Sequence, residues 1–206
     1  MNQAYYDSIE VPPEYDEIFS RTTLPSQIKK GVGELELASI RKRGYFLVYI
    51  AKEYGSKYIA EVGTAQGYQT FSFAKHLQGI GGSIWSCDLY PSVRDIDYDN
   101  LYKDTCTFVF GTAENMAHSL GSETKIDLFF IDGNHEKGAV LSDIKELKKF
   151  QSDNCVWIFD DYDTRFGVYD ELQQIENQYE QTFTINQSGP DAINPNHMLV
   201  VLGTIE

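Results

Sequence analysis

The chain has 206 residues, of which 42% are hydrophobic and 14% aromatic, enough to form a buried core. A net charge of −14 disfavours nucleic-acid partners, because most of the surface would repel a phosphate backbone. No apolar run approaches the ~20 residues of a membrane helix, and the acidic N-terminus lacks the apolar core of a secretory signal. These features predict a cytoplasmic globular protein without a membrane partner.

The chain is predicted to divide into an N-terminal arm and one domain. Residues 1–33 contain several Pro and Gly residues that break regular structure, and we expect an irregular arm or lid there. Residues 34–206 are expected to form a single domain. It begins with an amphipathic helix over residues 34–54, in which the basic run at 41–43 is expected to face solvent.

Five units follow in which a β-like run precedes a helix-like run, except that a polar stretch reaching Asp104 follows the second run. The β-like runs are "KYIAEV", "SIWSCDL", "CTFVFG", "KIDLFFID" and "NCVWIFDD". Their alternation with helices predicts an α/β doubly wound sandwich with a mostly parallel sheet, and the apolar character of "DLFFI" is typical of strands buried on both sides. Two late strands, "QTFTINQ" and "HMLVVLGTI", add an antiparallel element.

Acidic side chains end four of the five predicted strands: Glu61, Asp88, Asp132 and the pair Asp160–Asp161. Each of them alone could simply cap the following helix. Together they favour a ligand site, because ligands of such sheets bind at the carboxyl ends of the strands.

The segment "YIAEVGTAQGYQT" follows the first of these acids with two glycines in the spacing E-x-G-x-x-x-G. Ala65 stands where the dinucleotide-binding pattern has its middle glycine, which disfavours a pyrophosphate ligand. A carboxylate beside the turn suits a ligand that presents an ammonium group. Asp88, 27 residues after Glu61, is placed to bind a ribose diol.

"EVGTAQGYQT" resembles the first motif of class I S-adenosylmethionine-dependent O-methyltransferases of the catechol and caffeoyl-CoA types. Asp88 and "IDGNH" follow this motif at distances that suit the same family. The resemblance covers about residues 34–161 and implies a Rossmann-like, seven-stranded sheet with one antiparallel strand near the C-terminus. It also implies that the cofactor is held by Glu61, Gly63, Thr64 and Gly67 at its methionine part, Asp88 at its ribose, Ala113 and Glu114 of "GTAEN" at its adenine, and Asp132.

The same resemblance implies a metal site and a base. Catechol-like enzymes bind Mg²⁺ through an Asp after the fourth strand and an Asp–Asn pair after the fifth; the corresponding positions here are Asp132, Asp160 and Asp161. The "DDY" run is closer to the macrocin-type sugar O-methyltransferases, and its oxygen ligands suit Mg²⁺ or another divalent cation. His135 stands where the catechol-like enzymes keep a Lys, so we expect His135, with Asp132, to be catalytic and to accept a proton near its ordinary pKa of ~6.5.

The sequence therefore predicts metal-assisted methyl transfer from S-adenosylmethionine to a hydroxyl oxygen of a small molecule, either a sugar or a phenol. Two alternatives stay open: a domain of this fold that binds the cofactor without catalysis, and a nicotinamide-dependent enzyme. The acceptor is the expected partner, and its pocket is expected to be completed by residues 1–33 and by "YDTRFGVYDE". A homodimer is compatible with the sequence.

Overall fold

A computed structural model describes residues 2–90, 102–187 and 196–206. Most of the polar stretch expected to reach Asp104 lies outside these ranges. The helices are α1 (Gln3–Ser8), α2 (Pro13–Thr22), α3 (Leu24–Lys29), α4 (Glu34–Glu53), α5 (Tyr68–Gln78), α6 (Ala113–Ser119), α7 (Ala139–Leu147) and α8 (Tyr169–Gln178). The strands are β1 (Tyr58–Val62), β2 (Ser83–Asp88), β3 (Cys106–Phe110), β4 (Ile126–Ile131), β5 (Gln151–Phe159), β6 (Thr182–Asn186) and β7 (His197–Leu202).

The strands form one seven-stranded sheet in the order β3-β2-β1-β4-β5-β7-β6. All pairings from β3 to β5 are parallel, whereas β7 runs antiparallel to both of its neighbours. The predicted fold class and its single antiparallel strand are confirmed. The chain leaves β1 towards β2 and β3 and then crosses back to β4, so the strand order reverses between β1 and β4, where ligands of such sheets bind.

Helices cover the sheet on both faces, and two apolar clusters fill the layers. One cluster lies under α1, α2, α4 and α5, and the other lies under α6, α7 and α8. Successive β1 residues alternate between them, because side chains of a strand point to opposite faces. Ile59 belongs to the first cluster and Ala60 to the second. Glu61 follows in the register of Ile59, which directs its carboxylate towards α5.

Residues 2–33 contain three helices instead of the expected irregular arm, because their prolines lie at the starts of helices and do not break them. Pro13 is the first residue of α2, where its missing N–H leaves no hydrogen bond unmade. Phe19 of α2 is fully buried and packs edge-on against Tyr68, and Tyr6 of α1 packs in the same way against Phe46. These contacts join α1 and α2 to the core, and movement of this segment as a lid stays a prediction.

The long helix α4 agrees with the predicted helix over residues 34–54, and Gly44 within it has a packing role. A methyl group on Gly44 would lie 2.2 Å from the ring of Tyr68, whose hydroxyl donates a 2.9 Å hydrogen bond to the carbonyl of Arg41. The missing side chain therefore lets the start of α5 lie directly against α4. None of the described helices is long and apolar enough to cross a bilayer.

Candidate active site

Glu61, at the end of β1, is fully buried and has only hydroxyl partners among the described residues. Its Oε2 accepts a 2.6 Å hydrogen bond from Ser86 and a second bond from Thr70. Its Oε1 is buried and has no hydrogen-bond partner among the described residues. Burial raises the pKa of Glu61 to about 7. An unsatisfied buried acceptor of this kind fits a donor supplied by a ligand, such as an ammonium group.

The turn after Glu61 requires glycine at two positions. Gly63 has a φ of +103°, and a methyl group on it would lie 1.9 Å from the carbonyl oxygen of Asp132. Gly67 has a φ of +84° and precedes α5, with its N–H donating a 2.7 Å bond to the carbonyl of Thr64. The turn therefore lies in direct contact with the backbone at the end of β4.

Asp88, at the end of β2, closes this turn. Its Oδ2 accepts a 2.8 Å hydrogen bond from the N–H of Ala65, and its Oδ1 accepts one of 2.7 Å from the N–H of Tyr90. The Thr64 side chain is buried, with its hydroxyl 2.6 Å from that of Ser86. Because a carboxylate has about four acceptor sites, Asp88 keeps capacity for a diol after these two bonds. We call Glu61, Asp88 and the turn 63–67 the cofactor half of the site.

The "GTAEN" loop between β3 and α6 contains the two residues expected to contact the adenine of the cofactor, and only one of them is buried. Ala113 is buried at the start of α6, whereas Glu114 is exposed in the first turn. Gly111 before the helix has a φ of +138°, and Thr112 and Asn115 form a reciprocal cap. The loop is therefore set by its own capping, with Glu114 directed to solvent.

Asp160 does not join the other predicted metal ligands, because it already has two protein partners. Arg43 of α4 forms an ion pair with one of its oxygens, and Gln187 donates a 2.5 Å hydrogen bond to the other. Arg43 also lies 3.8 Å from Asp132. The run at 41–43 was expected to face solvent, yet Arg43 points inwards. No sequence signal marks this pair, since its members lie 117 residues apart.

His135 takes the place that Asp160 was expected to fill. Its Nε2 lies 2.9 Å from Asp161 and 3.6 Å from Asp132, and the three side chains place ligand atoms within 4.8 Å of one another. We call Asp132, His135 and Asp161 the acid–histidine cluster. The carboxylates of Asp132 and Asp161 raise the pKa of His135 to about 10, instead of the expected value near 6.5.

Asp161 is held in the cluster by its backbone and by a second partner. Its φ of +56° lies in the left-handed region that Asp tolerates better than most residues. Its Oδ1 accepts a 2.7 Å hydrogen bond from Asn196. Burial alone would raise the pKa of Asp161, but His135, Asn196 and Arg43 lower it below the ordinary range. Among the described residues, the other non-glycine residue with positive φ is Ala65, in the cofactor half.

The "YDTRFGVYDE" segment packs directly on the histidine of the cluster. The ring of Phe166 meets that of His135 edge-on at 5.1 Å, and the N–H of Gly167 donates a 2.9 Å hydrogen bond to the His135 carbonyl. An open cavity of about 540 Å³ lies at the opposite edge of the sheet, lined by Tyr58, Trp85 and residues 121–125. The acidic groups of the site do not line it.

With this geometry in place, comparison with known proteins decides the family. A family model described as a methyltransferase domain matches residues 60–162, half of the chain. The chain belongs to this methyltransferase family. No curated protein sequence matches it.

Solved structures of methyltransferases share its fold over nearly the whole length. The O-methyltransferase TomG from Streptomyces achromogenes, in complex with S-adenosylmethionine, is 15% identical with a TM-score of 0.70, covering 98% of this chain and 96% of that chain. The O-methyltransferase from Bacillus cereus, in complex with S-adenosylhomocysteine, is 16% identical with a TM-score of 0.69 and the same coverage. The S-adenosylhomocysteine-bound methyltransferase PaMTH1 from Podospora anserina is 15% identical with a TM-score of 0.65, covering 98% and 93%. The resemblance to class I methyltransferases is thus confirmed for family and fold.

The methyltransferase has side chains that fit both groups implied by its family. In the cofactor half, the orphaned oxygen of Glu61 and the open acceptor sites of Asp88 fit a ligand rich in N–H and O–H donors. In the acid–histidine cluster, the carboxylates of Asp132 and Asp161 fit a divalent cation, and the imidazole of His135 lies beside them. The set differs from the three expected aspartates because Arg43 and Gln187 hold Asp160 away from it.

Proposed function

We propose that this methyltransferase transfers the methyl group of S-adenosylmethionine to a hydroxyl oxygen of a small molecule. The observation that carries the proposal is the close contact between the cofactor half of the site and the strand end that bears Asp132 of the acid–histidine cluster. The turn at Gly63 approaches the Asp132 backbone so closely that a methyl side chain would not fit. A methyl donor in the cofactor half would therefore lie beside an acceptor bound at the acid–histidine cluster. Two of the structural relatives are O-methyltransferases, which supports oxygen as the atom methylated.

The cofactor half is proposed to bind and orient the cofactor. Glu61 offers a buried acceptor to the ammonium group of the methionine part, and Asp88 offers its carboxylate to the ribose hydroxyls. When bound, S-adenosylmethionine supplies a methyl group on a sulfonium ion. The turn 63–67 fixes the position of that ligand because it is tied to β2 through Asp88 and rests on the end of β4.

His135 is proposed to take the proton from the acceptor hydroxyl. Its ring packs edge-on against Phe166, its backbone carbonyl is bonded to the N–H of Gly167, and its Nε2 faces Asp132 and Asp161. Because the carboxylates of Asp132 and Asp161 raise its pKa to about 10, the imidazole is a cation at neutral pH when no metal is bound. Its role as a base therefore requires that the charge of these carboxylates be neutralised, which a divalent cation would do.

The acid–histidine cluster is accordingly proposed to hold a divalent cation that positions the acceptor oxygen. Asp132 and Asp161 would be its protein ligands, and Nε2 of His135 would stay free to accept the proton. Carboxylate oxygens suit Mn²⁺ as well as Mg²⁺, the ion expected from the sequence, so we expect Mn²⁺ to bind at the same site. Manganese titration followed by electron paramagnetic resonance tests this. Asp161→Asn should weaken the site, whereas the exposed Asp153→Asn should not, and equal binding by both variants would contradict it.

Calorimetry with S-adenosylhomocysteine tests the proposed function itself. The wild type should bind it, and Asp88→Asn should bind roughly 10- to 100-fold more weakly, since a charge-assisted hydrogen bond contributes ~1.5–3 kcal/mol. Asp153→Asn, at an exposed site on β5, is the matched control and should bind as the wild type does. A wild type that does not bind S-adenosylhomocysteine would overturn the proposal.

A panel of sugars and phenols with labelled S-adenosylmethionine then tests catalysis. Turnover of a hydroxylated acceptor is the expected result. Cofactor binding without turnover across the panel would favour the binding-only alternative, and NADH binding would favour the nicotinamide-dependent one. The small-molecule acceptor, the lack of nucleic-acid and membrane partners and the cytoplasmic location stay predictions.

A further inference from the structure

The ladder between β6 and β7 extends one rung beyond the two strands, to Gln187 and Asn196. The N–H of Gln187 donates a 2.8 Å hydrogen bond to the carbonyl of Asn196. Both side chains of this rung are amides, and each of them donates to one of the two adjacent aspartates after β5. Gln187 donates a 2.5 Å bond to Oδ1 of Asp160, and Asn196 donates a 2.7 Å bond to Oδ1 of Asp161. We call Gln187 and Asn196 the amide rung.

The backbone of the amide rung is held from both sides. The carbonyl of Gln187 accepts a 3.3 Å hydrogen bond from the hydroxyl of Tyr6 in α1 and another from the hydroxyl of Ser39 in α4. On the other strand, His197 follows the rung, and its carbonyl accepts a 3.0 Å bond from the N–H of Tyr162. The two amides therefore extend from a backbone that the N-terminal helices and the segment after β5 keep in place.

The two aspartates differ in what the rung leaves open on each of them. The second oxygen of Asp160 pairs with Arg43, so both of its oxygens have partners and its charge is compensated. The second oxygen of Asp161, Oδ2, lies 2.9 Å from Nε2 of His135 and faces the cluster that also contains Asp132. A neutral amide orients a carboxylate without cancelling its charge. Asp161 is therefore the member of the pair that is both oriented and able to bind a cation.

We propose that Asn196 is a positioning residue for the divalent cation of the acid–histidine cluster, an inference that rests on the proposed function. By occupying Oδ1 of Asp161, its amide directs Oδ2 towards Asp132, where the cation is proposed to bind. Without this donor the carboxylate is free to rotate away from its partner ligand. Removing a side chain that hydrogen-bonds to a metal ligand typically weakens metal binding by ~10- to 100-fold.

The test measures Mn²⁺ affinity by electron paramagnetic resonance in the wild type and three variants. Asn196→Leu keeps a side chain of similar shape without the N–H groups, and it should bind Mn²⁺ ~10- to 100-fold more weakly. Asn196→Gln keeps an amide donor on a longer side chain, and its affinity should lie between those of the leucine variant and the wild type. Asn154→Leu, at an exposed position of β5, is the matched control and should bind as the wild type does. Affinity for S-adenosylhomocysteine should be the same in all four proteins, because Asn196 lies outside the cofactor half.

A second measurement needs no substitution, so a variant that fails to fold does not remove the test. Adding Mg²⁺ to the wild type should shift the side-chain amide resonance of Asn196 in NMR spectra, because its acceptor then binds the cation, and should leave that of Asn154 in place.

Four results would overturn the inference. They are wild-type Mn²⁺ affinity in Asn196→Leu, equal affinities of the leucine and glutamine variants, an Asn196 resonance that does not move when Mg²⁺ binds, and an equal loss of Mn²⁺ and S-adenosylhomocysteine in Asn196→Leu, which marks a purely structural role. A wild type that binds S-adenosylhomocysteine but no Mn²⁺ overturns the proposed cation site, and this inference falls with it. A wild type that does not bind S-adenosylhomocysteine overturns the proposed function instead.

Discussion

The two halves of the site use opposite means to keep carboxylates at the end of the sheet. In the cofactor half, Glu61 and Asp88 are bonded to hydroxyls and backbone N–H groups. The other half consists of the acid–histidine cluster and the neighbouring Asp160. There, Asp160 pairs with Arg43, and Asp161 pairs with His135. Burial raises the pKa of Glu61 because its neutral donors only partly offset that effect, and one of its oxygens has no partner among the described residues. His135 beside Asp161 instead helps to lower the pKa of that carboxylate. The cofactor half thus has an acceptor open to a donor ligand, whereas in the other half the protein's own cationic side chains pair with the carboxylates.

The largest expected effect is on catalysis, and it comes from a substitution in the acid–histidine cluster. His135→Ala should lower kcat by ~10²–10⁴-fold, because it removes the proposed proton acceptor. Affinity for S-adenosylhomocysteine should stay close to that of the wild type, since His135 lies outside the cofactor half. The exposed His118→Ala is the matched control. Steady-state kinetics with an acceptor found in the panel measures the effect, and wild-type turnover in the His135 variant would remove it from the mechanism.

The next effect comes from removing the cation of the Arg43–Asp160 pair. The Asp160 side chain is fully buried and that of Arg43 is 28% exposed, so Arg43→Met should destabilise the fold by ~3–5 kcal/mol. Adding Asp160→Asn should recover much of this loss, because the buried charge is then absent. Arg21→Met, at an exposed pair with Glu17, should change stability by less than ~1 kcal/mol. Urea unfolding of the four proteins measures the differences, and equal effects of the two single Arg variants would contradict the assignment.

A third test concerns Glu61, which is buried and has no cationic partner in the part of the chain that the structure describes. Its pKa is about 7 in the folded chain and near 4.5 in the unfolded chain, so the folded state binds more protons between these values. Stability from this group is therefore lost as the pH rises from about 4.5 to about 7, by up to ~3 kcal/mol. Glu61→Gln lacks this loss, so the variant should gain stability relative to the wild type across that window.

Unfolding curves at pH 4.5 and pH 8 measure this difference, with the exposed Glu10→Gln as control. The same Glu61 variant should bind S-adenosylhomocysteine more weakly, which separates a carboxylate kept for a ligand from one kept for stability. A constant difference between variant and wild type at both pH values would show that Glu61 has an ordinary pKa.

The smallest expected effect concerns the hydroxyl groups that donate hydrogen bonds to Glu61. Thr70→Val removes one hydrogen bond to Glu61 while keeping the shape of the side chain, and should cost about 1 kcal/mol. The loss should also raise the pKa of Glu61 further, because that bond favours the ionised form. Carbon-detected NMR titration of the carboxyl group measures the shift. Thr107→Val, at an exposed position of β3, should leave it unchanged.

The sequence by itself determined the fold class, the order of the strands along the chain, and the acids at their carboxyl ends. These features depend on local patterns: apolar strands, helices after them, and the glycine spacing after Glu61. The partners of the cofactor half were also close in sequence, since Ser86 lies 25 residues from Glu61 and Thr70 lies nine. The N-terminal helices were missed because residue type alone does not distinguish a Pro that begins a helix, as Pro13 does, from a Pro that breaks one.

Only the tertiary structure decided which acids are free to bind a ligand. Arg43 reaches Asp160 from 117 residues away, and Asn196 reaches Asp161 from 35 residues away. The pKa of a group depends on burial and on charges within a few ångströms, and neither quantity is written in the spacing of residues along the chain. That is why the pattern of aspartates indicated an acidic site, while the packing of the chain brought His135 rather than Asp160 into the cluster.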